Sequence, residues 1–238
     1  MVYRYVNGDN FADLACGNVI LHKSRFPCLP ARLAAEIFMR CYSQLRESGI
    51  EEAAVYDPCC GGAYMLAVLG FLYGGFIKAI YASDVSEDAV KLAGANLSLL
   101  SETGLLKRRE KLQELYLTYG KQSHAAAVKS VDRLFDKLQN NISVKTFQTD
   151  ILSHDPLSGF DLKADLVITD VPYGALTSWD DAGGCAISRM MDAVKPILNK
   201  NAVVAVCRDK TQKSGNKNYI RIDKFQCGKR VIEIFGSK

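Results

Sequence analysis

Four acids in this chain of 238 residues stand where apolar runs end: Asp57, Asp84, Asp150 and Asp170. Acids at the carboxyl ends of successive parallel strands face one ligand crevice. The first of them opens the loop Asp57-Pro58-Cys59-Cys60-Gly61-Gly62-Ala63, and a helical apolar run begins at Tyr64. A dinucleotide site would carry Gly-x-Gly-x-x-Gly, which brings a helix N-terminus onto a pyrophosphate. A carboxylate at that point repels a pyrophosphate and suits the ammonium and sulfonium of S-adenosylmethionine. The small residues Cys59, Cys60 and Gly61 let a cofactor lie against the backbone. Asp84 is placed to chelate a ribose diol, with Val85 packed on an adenine. Asp150 is placed to accept from the adenine amino group, with Ile151 against the ring. Taken singly, Asp84 and Asp150 read first as solvated or capping acids; the succession of acids at strand ends is what points to a ligand.

The fourth acid heads Asp170-Val171-Pro172-Tyr173. The Asp170 carboxylate and the Val171 carbonyl give two acceptors that can face the edge of a planar base. Two acceptors suit an N–H donor that must become a nucleophile. Tyr173 can stack on the ring, as aromatic residues do with splayed bases, and Pro172 stiffens the turn. The chemistry is direct methyl transfer, in which alignment supplies much of the acceleration.

The elements that must position these residues alternate. Residues 1–30 form an irregular arm, since Phe26-Pro27-Cys28-Leu29-Pro30 suits neither a helix nor a central strand. A helix runs from Ala31 towards Gly49, on the spacing of Leu33, Ile37, Phe38, Cys41 and Leu45. Strands are expected at Ala53 to Asp57, Lys78 to Asp84, Ser143 to Asp150, Ala164 to Asp170 and Ala202 to Arg208. Helices are expected at Tyr64 to Tyr73, after a Ser86 cap with Glu87 and Asp88 in its first turn, and at Gly184 to Leu198. Residues 101–139 form a helical insertion divided at Gly120. Tyr219 to Phe225 and Arg230 to Phe235 close the chain as a hairpin that adds an antiparallel strand at one edge. This predicts one α/β domain over 1–238, a Rossmann-like doubly wound sheet, mostly parallel, with seven strands.

Composition bounds the rest. Apolar content is 48% and charged content 24%, ordinary for a soluble globule. The eight cysteines include no Cys-x-x-Cys pair and there are three histidines, so no metal site is expected. The cysteines sit in apolar runs and read as reduced, which makes a cytoplasmic protein the expectation. The apolar stretch from Ala63 to Ala82 is split by Gly74 and Gly75 into a buried helix and strand, not a membrane span. The net charge of +4 is uneven. Residues 101–139 hold eight Lys/Arg against five acids, with Arg108 and Arg109 among them, and residues 208–230 hold eight against two. Clustered cations favour a polyanion. The Lys210, Lys213 and Lys217 loop reads as mobile and able to order on phosphate.

Asp170-Val171-Pro172-Tyr173 resembles the Asp/Asn-Pro-Pro-Tyr motif of amino-methyltransferases acting on nucleic-acid bases. More narrowly, the chain resembles the avilamycin-resistance rRNA methyltransferases of the AviRa type. The matching pieces are Phe26-Pro27 to Arg32-Leu33, Asp57 to Gly61 with its paired cysteines, Ala82 to Asp84, Asn96 to Ser101, the basic insertion, Thr169 to Gly174 with Trp179, and the strand from Ala202 to Arg208. Together they cover nearly the whole chain. The resemblance implies a class I, S-adenosylmethionine-dependent guanine methyltransferase acting on large-subunit ribosomal RNA or a ribosomal subunit, with Trp179 and Tyr173 holding a base that is flipped out or unpaired. Arg32 is assigned to the methionine carboxylate, and a monomer is favoured. Ala63, where the motif ends in glycine, and Val171, where it carries leucine or proline, depart from the pattern. Two alternatives stay open: methylation of another base, such as adenine at N6, and a catalytically idle RNA-binding or assembly protein on the same fold. A dehydrogenase has the wrong glycine pattern.

Overall fold

A computed structural model describes residues 3–6, 10–15, 17–24, 26–139, 142–172, 179 and 185–237. Its elements in chain order are α1 (Ala31–Glu47), β1 (Ala53–Asp57), α2 (Tyr64–Tyr73), β2 (Ile77–Asp84), α3 (Glu87–Ser98), α4 (Glu102–Tyr119), α5 (Gln122–Phe135), β3 (Ser143–Gln148), β4 (Ala164–Asp170), α6 (Ala186–Val194), β5 (Leu198–Asp209), β6 (Tyr219–Cys227) and β7 (Arg230–Ser237). The strands form one sheet in the order β3-β2-β1-β4-β5-β7-β6. The first five are parallel, and β7 runs antiparallel to both β5 and β6.

β1 is buried at every position and β4 at all but its last, the mark of central parallel strands covered on both faces. Residues alternate between two cores. Val55, Leu166 and Val203 face α1 to α5. Tyr56, Val167 and Val204 face α6 and the segment 151–162. Ser86 caps α3, its hydroxyl accepting from the Ala89 amide at 3.3 Å, and Ser101 caps α4 by accepting from Gly104 at 3.1 Å. Gly120 ends α4 in the left-handed conformation at φ 64°, as a side chain would resist.

Two expected bounds are corrected, and the closing hairpin stands at one edge of the sheet as expected: β7 pairs with β5 and β6 is outermost. The run Val231 to Phe235 is buried throughout, whereas β6 is mostly exposed, and its charged residues Arg221, Asp223 and Lys224 are of the kind that blunts an open edge. β3 stops at Gln148, so Asp150 lies beyond the strand. The helix expected from Gly184 begins, among the described residues, at Ala186 and gives way to a 3-10 turn at Lys195.

The insertion serves the arm. The Arg108 guanidinium donates to the carbonyls of Asn18 and Val19 at 2.8 and 2.9 Å, and Arg133 pairs with Asp13. Glu36, wholly buried on α1, accepts from the amides of Arg4, Tyr5 and Val6 and from Arg40. Burial pushes the Glu36 carboxyl up, but these donors outweigh it and hold it below its ordinary value.

Candidate active site

The carboxyl ends of β1, β2 and β4 open into a cavity of about 480 Å³ whose outer wall is the arm, through Leu21, His22, Phe26, Cys28 and Leu29. Its floor is the loop after β1. Asp57 turns back on that loop and accepts from the Cys59 amide at 3.0 Å. Asp84 accepts from the Gly61 amide and the Ser86 amide, each at 2.9 Å, while the Cys60 amide donates to the Ser83 carbonyl at 2.9 Å. Three loop amides that would cradle a pyrophosphate are thus spent on Asp57 and on Ser83 and Asp84 of β2. The site therefore presents negative charge, which fits the cationic head of S-adenosylmethionine and not a dinucleotide. Gly62 is required by packing, because a Cβ there would lie 2.7 Å from Leu92 Cδ2. Ala63 stands at φ 52°, the left-handed conformation that explains why the family pattern has glycine there.

Asp57, Asp84 and Asp170 share this one cavity. Burial, with the neighbouring charges of Asp84 and Asp170, raises the Asp57 carboxyl to about 7, against the hydrogen bond from the Cys59 amide. Burial also raises Asp84, against the amides of Ser86 and Gly61. Burial and the adjacent carboxylates push the Cys59 and Cys60 thiols far up, so both stay protonated and neither is a nucleophile. Asp170 ends β4, and its Oδ2 lies 3.5 Å from Arg230 Nη2 and Nε. The turn beyond is fixed by Val171 N donating to the Cys207 carbonyl at 2.9 Å and by Gln212 Nε2 donating to the Pro172 carbonyl at 3.0 Å.

Asp150 and Ile151 do not line this cavity. They line an adjoining one of about 370 Å³. Cys59, Asp84, Val85, Pro172 and Trp179 border both cavities, so the two make one crevice with Asp84 and Val85 at the seam. Val85 is 63% exposed there, an apolar side chain left uncovered at a cavity mouth. The exposed Asp150 accepts from the Leu152 amide at 2.9 Å. Tyr64 lines the first cavity and donates its hydroxyl to the Leu14 carbonyl at 2.7 Å, so it also holds the arm.

Other expected residues are placed elsewhere. Arg32 is not brought to the crevice; its guanidinium donates to the Val6 carbonyl at 3.1 Å and covers the Tyr3 ring at 4.2 Å. Arg108 is consumed by the arm, and Arg109 pairs with Asp132 at 2.7 Å. Lys210, Lys213 and Lys217 are exposed, but their loop is held rather than loose. Asn216 donates to Ser188 and Asp192 of α6, and Ser214 bonds the buried Glu233. Arg208, Arg221 and Lys224 all surround Glu233, whose one carboxylate offsets one of these three charges. Tyr173 lies outside the described residues.

Sequence reasoning missed Arg230 and Gln212. The signal for Arg230 was the hairpin itself. An antiparallel strand beside β5 must start, not end, at the crevice, so its first residue faces the site.

A family model for the rRNA methyltransferase AviRa matches residues 1–230. The chain belongs to the AviRa rRNA methyltransferase family. A curated relative, the 23S rRNA (guanine(2535)-N(1))-methyltransferase of Streptomyces viridochromogenes, is 34% identical, with 82% of this chain and 80% of the relative covered. The solved structure of the rRNA methyltransferase AviRa from that organism matches with a TM-score of 0.87 at 30% identity, over 99% of this chain and 96% of the other. A Pyrococcus horikoshii protein at 12% identity matches over 95% of each chain with a TM-score of 0.52, which speaks to the fold alone. The chain is thus a methyltransferase of the class I α/β fold. Among the described residues, no helix is long and apolar enough to cross a membrane, and no group of three or more His, Cys, Asp or Glu could hold a metal.

Proposed function

We propose that this chain is one methyltransferase domain that uses S-adenosylmethionine to methylate a guanine of large-subunit ribosomal RNA at ring N1. The observation that carries the reading is the meeting of Asp57, Asp84 and Asp170 in a single cavity, in a chain whose AviRa relative is a 23S rRNA guanine-N1 methyltransferase. The cofactor supplies an electrophilic methyl group. Asp57, with Cys59, Cys60, Gly61 and Tyr64 around it, receives the cationic methionine end. Asp84 takes the ribose diol, and Val85, Asp150 and Ile151 receive the adenine from the adjoining cavity. Asp170 accepts the N1 proton of the target guanine, the Val171 carbonyl orients the base edge, and Pro172, braced by Gln212, holds the turn. Tyr173 and Trp179 stack on the base. Lys210, Lys213 and Lys217 contact phosphate, the chain works as a monomer, and it acts in the cytoplasm.

Transfer of labelled methyl from S-adenosylmethionine to a 23S rRNA transcript, followed by nucleoside digestion, tests this. The expected product is 1-methylguanosine. Label in N6-methyladenosine would keep the site and overturn the base. Absent transfer to both the transcript and ribosomal particles would overturn the reading.

A further inference from the structure

We propose that Arg230 reads the O6 of the target guanine and stabilises the charge that develops on it. The inference rests on the guanine-N1 reading above. Arg230 opens β7, which pairs antiparallel with β5, Arg230 standing opposite Asp209. Its guanidinium therefore arrives at the crevice from the far side of the sheet and lines the same cavity as Asp57, Asp84 and Asp170. It is three-quarters buried, at 25% side-chain exposure, and both Nη2 and Nε lie 3.5 Å from Asp170 Oδ2. That separation is long for a charge-assisted bond, which closes to about 2.7–2.9 Å. Cation and carboxylate form a long ion pair, side by side at the cavity wall.

A donor beside an acceptor is the complement of one base edge. Guanine presents O6, an acceptor, next to N1–H, a donor. Adenine presents an amino donor next to an N1 acceptor, the reverse order. Arg230 facing O6 and Asp170 facing N1–H accept guanine and set two like groups against each other with adenine. Arginine donating to guanine O6 is a common specific contact in nucleic-acid recognition.

The pair also serves the chemistry. As the N1–methyl bond forms, the sulfur–methyl bond breaks and its electron pair stays on sulfur. The N1 proton passes to the Asp170 carboxylate and then to solvent. Loss of that proton puts negative charge on O6, where a guanidinium fixed in a sheltered site is worth more than in water. Among the described residues, the ionisable groups around Asp170 include Asp57 from β1, Cys207 from β5 and Arg230 from β7, with Asp84 of β2 across the cavity. Of these four groups, Arg230 is the cation.

The test uses the full chain and two readouts. Trp179 is the single tryptophan and borders the cavity, so its fluorescence reports occupancy. With S-adenosylhomocysteine saturating, wild type is expected to bind guanosine monophosphate at least about 10-fold tighter than adenosine monophosphate, and Arg230→Ala to lose the preference. In methyl transfer to the 23S transcript, Arg230→Ala is expected to lower kcat about 10²–10³-fold, the usual loss for one oxyanion donor, with cofactor affinity within twofold. Arg230→Ala/Asp170→Asn is expected to be slower than Asp170→Asn alone.

A double variant no slower than Asp170→Asn would mean that Arg230 acts only by holding Asp170, and would overturn the proposal. So would an unchanged guanine preference, or cofactor binding lost in parallel with kcat in both Arg230→Ala and Arg230→Lys. A wild-type protein that makes no methylguanosine would instead overturn the underlying guanine reading, and the inference with it.

Discussion

Asp57 is the residue at which charge and burial are most finely opposed. Its carboxyl is raised to about 7 because it is buried beside Asp84 and Asp170. A carboxyl whose folded value lies above its unfolded one adds stability at low pH, and that stability is lost as the pH rises through about 7. A cationic ligand reverses the balance by favouring the ionised form. Binding of S-adenosylmethionine is therefore expected to release a proton near pH 6 and to strengthen as the pH rises from 6 to 8, about 10-fold per pH unit at most below the shifted value. Calorimetry in buffers of different ionisation enthalpy measures this, and Asp57→Asn is expected to flatten the dependence. A wild-type affinity that does not change over that range would remove Asp57 from the cationic end of the cofactor. The strand-end acids were legible in the sequence because each closes an apolar run. What was not legible was how far each residue reaches: Asp150 falls in the neighbouring cavity because β3 ends two residues early, and Arg32 turns to Val6 and Tyr3.

At the scale of elements, the crevice exists because the arm is clamped over the parallel strands. Asn96 on α3 ties the arm to the cofactor loop. Its Oδ1 accepts from the Leu21 amide at 2.8 Å, and its Nδ2 donates to the carbonyls of Leu21 and Gly62 at 3.0 and 2.7 Å. Asn96→Ala leaves these backbone groups without that partner in a buried place, which costs about 2–4 kcal/mol in all. The expected outcome in urea unfolding is that loss, together with weaker cofactor binding, because the arm wall and the Gly62 floor are released at once. Unchanged stability would mean that packing alone seats the arm. Most elements were readable: the apolar runs set the strands, and Ser86, Ser101 and Gly120 carry the cap chemistry that marks helix ends. Which of β6 and β7 enters the sheet was not read, because a hairpin looks the same in sequence whichever strand does so. Only the apolar residues Val231, Ile232, Ile234 and Phe235, interrupted by Glu233, separate the two. The loop from Lys210 to Lys217 read as mobile because its polar residues gave no sign of partners, and those partners lie far along the chain on α6 and β7.

For the whole molecule, net charge overstates the RNA-facing surface. Arg108, Arg208, Arg221 and Arg230 are engaged within the protein, whereas Lys210, Lys213 and Lys217 stand exposed. Replacing these three lysines by alanine is expected to weaken rRNA binding and to reduce the slope of log affinity against log salt by about 0.7–0.9 for each phosphate that is no longer neutralised. Replacing Arg108 by alanine is expected to loosen the arm while leaving that slope unchanged. Filter binding across salt concentrations distinguishes the two, and an unaltered slope in the triple variant would move the RNA path to another face. The central claim is that Asp170, at the end of β4, takes the proton from the base. Single-turnover methyl transfer to 23S rRNA by Asp170→Asn, with labelled cofactor bound beforehand, tests it most directly. The account predicts cofactor affinity within about twofold of wild type and methylguanosine formation slowed about 10²–10⁴-fold, the range for a positioned general base. Turnover near the wild-type rate with cofactor bound normally would contradict it.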